Sequence, residues 1–173
     1  MISRIRHNNL SQELLIKAAK VKGKSELPLL AVDATAGLGE DAFLLAAAGF
    51  QVKMYERDLV IAALLEDALY RATQENGISV IASRMQLVAG DSLIGMPQMK
   101  ESPDIILLDP MFPARQKSSL IKKKFQLLQL LEMPCADEEA LLTAAMAASP
   151  YKIIIKRPRK GEYLANKKPD YSL

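Results

Sequence analysis

The chain is nearly devoid of cysteine and histidine: Cys135 and His7 are the only examples of each. One thiol cannot form an internal disulfide, and it rules out a cysteine-cluster metal site. A small buried or half-buried thiol is the simpler role for it. One histidine near the amino terminus leaves neither a histidine-based triad nor a histidine metal site. No apolar run approaches the ~20 residues that a membrane-spanning helix requires. The opening residues, Met1-Ile2-Ser3-Arg4-Ile5-Arg6-His7, lack the apolar core of a signal peptide. These absences lead to the expectation of a cytoplasmic protein with no metal and no membrane partner.

What is present is a 173-residue chain, 50% apolar, which is enough for one domain with a real core. It has no repeats, no low-complexity tract and no linker. The expected organisation is a single domain over 1–173: a helical segment over 1–24, a core over 25–160 and a tail over 161–173. Net charge is only +3, but the cations are unevenly placed. Five basic residues lie between Arg115 and Lys124 with no acid among them: Arg115, Lys117, Lys122, Lys123 and Lys124. Seven more lie between Lys152 and Lys168 (Lys152, Lys156, Arg157, Arg159, Lys160, Lys167, Lys168) against Glu162 alone. Each run on its own reads equally well as a solvated face. Because one follows the fourth predicted strand and the other the fifth, both fall on one edge of a parallel sheet, which favours a phosphate-backbone footprint.

The hydrophobic pattern alternates between periods. A helix is expected over 10–22, with Leu10, Leu14, Leu15, Ala18 and Ala19 as its apolar stripe, Ser11 as its cap and Gly23 at its end. Strands are expected over 29–33, 52–56, 85–89, 105–109 and 151–156. Helices are expected over 41–48, 59–73, 119–131 and 137–148. Strands alternating with helices imply βαβ units, and hence an α/β fold with a mostly parallel sheet and helices on both faces. Ligands of such sheets bind beyond the carboxyl ends of the strands. Asp33, Glu56, Asp91 and Asp109 all fall at or just past those ends, where four carboxylates would repel one another without a ligand.

The first strand runs into Asp33-Ala34-Thr35-Ala36-Gly37-Leu38-Gly39-Glu40-Asp41. Gly37 and Gly39 allow a tight turn and close approach of a ligand, and Glu56 closes the next strand 17 residues after Gly39. A carboxylate there suits a ribose diol. This pattern fits a nicotinamide dinucleotide, S-adenosylmethionine, or merely a glycine turn at a strand–helix junction. A pyrophosphate favours a helix N-terminus free of acids, whereas Glu40 and Asp41 open this helix and Asp33 precedes the turn. A cationic sulfonium and its ammonium tolerate those acids, so S-adenosylmethionine is the expected cofactor. Asp91 and Ser92 either bond its adenine amine or cap a helix.

The fourth strand ends in Asp109-Pro110-Met111-Phe112-Pro113. A nucleobase amine is a poor nucleophile because its lone pair is delocalised into the ring. Acceptors on its hydrogens stabilise the positive charge that develops as a methyl group arrives. The Asp109 carboxylate and the Pro110 carbonyl are candidates for that task, and Phe112 for stacking on the base, worth ~1–3 kcal/mol. A base inside a folded nucleic acid must be unpaired or flipped out. The plainer alternative is a strand that simply ends there, with Phe112 in the core. Pro113 so soon after Pro110 argues for a stiff loop instead.

These strings, together with Tyr55-Glu56-Arg57, Gln116-Lys117-Ser118 and Ile155-Lys156-Arg157-Pro158, resemble the RsmJ (YhiQ) family of class I methyltransferases. The resemblance covers roughly residues 10–170. It implies a Rossmann-like class I fold and methyl transfer from S-adenosylmethionine to the exocyclic N2 of a guanosine in small-subunit ribosomal RNA. It implies cofactor contacts at Glu40, Asp41, Glu56, Arg57, Asp91, Ser92 and Asp109. With the glycine loop, the expected cofactor set becomes Asp33, Ala34, Thr35, Gly37, Gly39, Glu40, Asp41, Glu56, Arg57, Asp91, Ser92 and Asp109. Asp109, Pro110 and Phe112 form the expected catalytic set. Arg115, Lys117, Lys122, Lys123, Lys156, Arg157 and Arg159 form the expected RNA-binding set, with ribosomal RNA or the small subunit as partner. Three departures stand out. The family usually has arginine where this chain has Glu40, many members carry an additional N-terminal segment, and the chain stops at Leu173, where the final strands of the sheet are expected. The rival readings are an adenine-N6 methyltransferase, a non-catalytic nucleic-acid or cofactor-binding module and, more distantly, a nicotinamide oxidoreductase.

Overall fold

A computed structural model describes residues 5, 7–23, 28–110, 137–158 and 161–173. Five strands, β1 (Leu30–Asp33), β2 (Gln51–Glu56), β3 (Met85–Ala89), β4 (Ile105–Leu108) and β5 (Lys152–Ile155), form one sheet in the order β3-β2-β1-β4-β5. Every pairing is parallel, with Asp33 opposite Met54 and Leu107, Glu56 opposite Ala89, and Leu108 opposite Ile155. Strand order reverses between β1 and β4, so the switch point of the sheet lies between the ends that carry Asp33 and Asp109.

The strands are apolar on both faces because helices cover both. With side chains alternating across the pleat, Ala31, Val52, Met54, Ile105, Leu107 and Ile154 join one core cluster. Val32, Tyr55, Ile106 and Leu108 join the other. Helices α1 (His7–Leu10), α2 (Leu14–Ala19), α3 (Glu40–Ala47), α4 (Leu59–Gln74) and α5 (Ser79–Ala82) precede β3 in the chain. Leu15, Ile16, Leu44, Leu45 and Leu65 bring α2, α3 and α4 to the first cluster. After β3 come α6 (Ser92–Gly95) with a 3₁₀ turn (Met96–Gln98), α7 (Glu138–Ala147) and a final 3₁₀ turn (Leu164–Asn166). Met96, Leu141, Ala145 and Leu164 fill the second cluster.

The single helix expected over 10–22 is two: α1 ends at Leu10, and the backbone N–H groups of Gln12 and Glu13 turn back onto Asn9 and Leu10. Ser11 therefore lies in the turn between the two helices, and the residue before α2 is Glu13, with no side-chain cap bond. Three short elements, α5, α6 and the turn at Leu164–Asn166, carry too little periodicity to be seen in sequence. The helix expected over 119–131 lies outside the described residues. Among the described residues of the tail there is no strand beyond β5.

Two contacts fix how the ends pack. Lys152 Nζ donates to the carbonyls of Ala18 at 2.8 Å and Lys20 at 2.6 Å, satisfying groups that the end of α2 leaves open. The same ammonium lies 5.9 Å from the Tyr171 ring centre. At the other side of the sheet, α6 passes so close to β2 that a Cβ on Gly95 would lie 2.3 Å from the Tyr55 ring. Tyr55 is buried, so its ring must shift to admit a side chain there. Gly95→Ala is expected to destabilise the fold by about 1–3 kcal/mol through overpacking, measured as a lowered urea midpoint at unchanged slope. An unshifted midpoint would show that α6 does not seat against Tyr55.

Candidate functional site

The carboxyl ends of β1, β2 and β4 are stitched together by backbone groups before any side chain is considered. Ala34 N–H donates to the Leu107 carbonyl at 3.0 Å, and Ala36 N–H to the Tyr55 carbonyl at 3.1 Å. Thr35 then turns its hydroxyl to the neighbouring strand end, where Oγ1 accepts from Asp109 N–H at 2.8 Å. The loop between β1 and α3 is shaped by Gly37 and Gly39, at φ of 52° and 71°. At Gly39 a Cβ would meet Leu65 Cδ1 at 2.9 Å, so both conformation and space require glycine there.

The acids divide into two kinds. Glu56 is buried, and each of its oxygens accepts a backbone N–H: Oε2 from Gly37 and Oε1 from Asp58, both at 2.8 Å. It therefore braces the glycine loop from the tip of β2, with lone pairs remaining for a diol. Asp91 Oδ1 accepts from Leu93 N–H at 2.9 Å, so the capping role left open in the sequence is realised at α6. Ser92 beside it is buried.

Asp33, Asp41 and Asp109 form the other group. Asp33 is 2% exposed and its Oδ1 accepts from Thr35 N–H at 3.1 Å. Burial pushes its carboxyl up to about 7, and Asp41 and Asp109 push in the same direction against the Thr35 hydrogen bond and the Lys156 charge. Lys156 Nζ sits between Asp41 Oδ2 at 2.5 Å and Asp109 Oδ2 at 2.6 Å. Burial alone would lower the lysine, but Asp109 and then Asp41 overcome it and hold the ammonium above its ordinary range. The rim thus contains its own counter-ion, and the expected mutual repulsion of acids is partly answered without a ligand. Three acidic side chains facing one cation still leave the rim receptive to further positive charge.

Lys156 belongs to this rim, whereas it was expected in the RNA footprint. The strand register is the reason: Leu108 of β4 lies opposite Ile155 of β5, so the residues that follow, Asp109 and Lys156, emerge side by side. Arg157 also turns inward, its guanidinium 2.9 Å from Glu138 of α7 and only 12% exposed. With Lys152 committed to α2, the second basic run loses three of its cations to internal bonds. Arg57 is exposed just beyond β2, and Glu40 and Asp41 occupy the first turn of α3, where acids also favour the helix dipole. Pro110 is buried beside Asp109. Phe112, Arg115, Lys117, Lys122, Lys123 and Arg159 lie outside the described residues.

These residues fit a nucleoside with a cationic tail: a glycine turn with no room for side chains, a braced carboxylate at β2, and an acidic rim at the switch point. A cleft of about 440 Å³ lined by Gln51, Lys53, Arg84 and Gln98 opens at the amino ends of the strands, away from these acids. Among the described residues no group of three or more histidine, cysteine, aspartate or glutamate side chains could hold a metal. No described helix is long and apolar enough to cross a membrane.

Comparison with known proteins points the same way. A family model for SAM-dependent methyltransferases matches residues 1–173. The chain is 42% identical over 164 residues to the ribosomal RNA small subunit methyltransferase J of Marinobacter nauticus, covering 94% of this chain and 59% of that protein. It is 48% identical to the protein of the same name from Tolumonas auensis, covering 82% of this chain and 57% of that one. The Pseudomonas aeruginosa protein of that name is 46% identical, with 82% and 55% covered. The chain therefore spans somewhat over half the length of these relatives. A solved SAM-dependent methyltransferase from Neisseria gonorrhoeae superposes with a TM-score of 0.74 at 33% identity, covering 98% of this chain and 65% of that one.

Proposed function

The chain belongs to the SAM-dependent methyltransferase family, and we propose that it transfers a methyl group to the exocyclic N2 amine of a guanosine in small-subunit ribosomal RNA. The observation that supports this reading is the hydrogen bond from Asp109 N–H to Thr35 Oγ1, which ties the glycine loop to the strand end that carries Asp109. The names of the relatives support ribosomal RNA as substrate.

When bound, S-adenosylmethionine supplies an activated methyl group on a positively charged sulfur. Glu56 holds the ribose, Asp91 and Ser92 lie at the adenine end, and Asp33, Thr35 and Asp41 face the methionine end. Asp109 accepts a hydrogen bond from the target amine and stabilises the charge that grows on it. The Pro110 carbonyl is the second acceptor. Phe112 stacks on the flipped base, and Arg115, Lys117, Lys122, Lys123 and Arg159 hold RNA phosphates. The amine's spare proton leaves to water or through Asp109. A ribosomal substrate places the reaction in the cytoplasm.

The test is methyl transfer from labelled donor to unmodified ribosomal RNA, followed by digestion and identification of the product nucleoside. N2-methylguanosine is the expected product. Label on adenine N6, or donor binding with no transfer to RNA, would overturn the guanosine reading.

A further inference from the structure

Lys156 is a half-buried cation inside a site whose chemistry calls for acids, and the transfer scheme above gives it no task. Its ammonium reaches two elements that the chain separates by 68 residues: Asp41 in the first turn of α3 and Asp109 at the tip of β4. The backbone beneath it is fixed as well, since Lys156 N–H donates to the Leu108 carbonyl at 2.9 Å. The side chain therefore leaves a rigid strand end and spans the mouth between donor loop and acceptor strand. It takes Oδ2 of Asp109, which orients the carboxylate about its last torsion and leaves Oδ1 to meet an amine. A carboxylate that terminates a strand without such a clamp would sample several rotamers.

We propose that Lys156 is a positioning residue for methyl transfer, clamping Asp109 by one oxygen and locking it to α3 through Asp41. This rests on the methyl-transfer reading. The clamp also sets the charge of the rim. Facing Asp33 are Asp41, Asp109 and Lys156, and the lysine is the one cation among them, favouring the ionised form of Asp33.

Lys156→Met and Lys156→Arg test the proposal through two readouts on the full chain. In the free protein, carbon-13 NMR of the aspartate carboxyls follows Asp33. Its midpoint should rise above the wild-type value in the methionine variant and return towards it in the arginine variant. With donor and ribosomal RNA, single-turnover transfer at saturating donor should fall roughly 100-fold in the methionine variant, as expected for a misplaced catalytic group. The calorimetric affinity for donor should change much less, and arginine should recover most of the rate. An unmoved Asp33 midpoint overturns the proposal whether or not the wild-type chain is active. So does a methionine variant with wild-type rate, or a rate loss explained wholly by donor affinity. Absence of transfer by the wild-type chain overturns the functional reading instead, while the titration still reads the clamp.

Discussion

Asp109→Asn should lower methyl transfer at saturating donor by roughly 10²–10³-fold, the scale for removing a group aimed at developing charge. The substitution preserves shape and keeps the backbone N–H that donates to Thr35 Oγ1, so the loop beneath it should stay seated. What it removes is the negative charge beside an amine that becomes cationic as the methyl group arrives. Lys156 would keep Asp41 as a partner, which limits collateral damage to the fold. The check is a single-turnover assay paired with calorimetric donor binding on the same preparation. A variant that binds donor and retains full activity would refute the role assigned to this carboxylate.

Asp33→Asn has the opposite signature, gaining stability while losing function. The Asp33 carboxyl moves from an ordinary 3.8 in the unfolded chain to about 7 in the fold. Below the lower value both states carry the proton and the position is neutral to folding. Between the two, the unfolded chain ionises while the fold retains the proton, so stability drains away as pH rises and the full penalty applies above about 7. Asparagine carries no charge to bury and can still accept from Thr35 N–H, though its amide group needs partners of its own. The variant should match wild type near pH 4 and exceed it by about 1–3 kcal/mol at pH 8, a discounted fraction of what such a shift allows. Denaturant titrations at the two pH values give the comparison. Donor affinity should fall in the same variant, because the rim has lost a carboxylate. Equal stability gains at both pH values would mean that Asp33 is not the group that burial has perturbed.

Much of this architecture was legible because the strands announce themselves. Ile105-Ile106-Leu107-Leu108 is apolar at every position, as a strand covered on two faces must be, and Met85–Ala89 was bounded correctly by the turns on either side. Gly49 and Gly77, both at positive φ, follow shortly after the ends of α3 and α4. The first helix was misread because its apolar residues keep helical spacing across Ser11-Gln12-Glu13, and periodicity does not register a local break in backbone hydrogen bonding. At the site, the acids were visible from their places at strand ends, but their partners were not. Glu56 reaching back to Gly37 crosses 19 residues and Lys156 reaching Asp41 crosses 115, distances that only the strand order closes. Counting charges along the chain placed Lys156 and Arg157 with their basic neighbours, whereas the fold turned both towards acids.

The ammonium of Lys152 has a practical consequence. By holding the carbonyls of Ala18 and Lys20 while lying near the Tyr171 ring, it buckles the leading helices, the outer strand and the trailing residues into one assembly. Removing α2 from the front would loosen β5 at the back. Expression boundaries chosen at the first strand, as an alignment of cores would suggest, should therefore yield a less stable product than boundaries that keep α2.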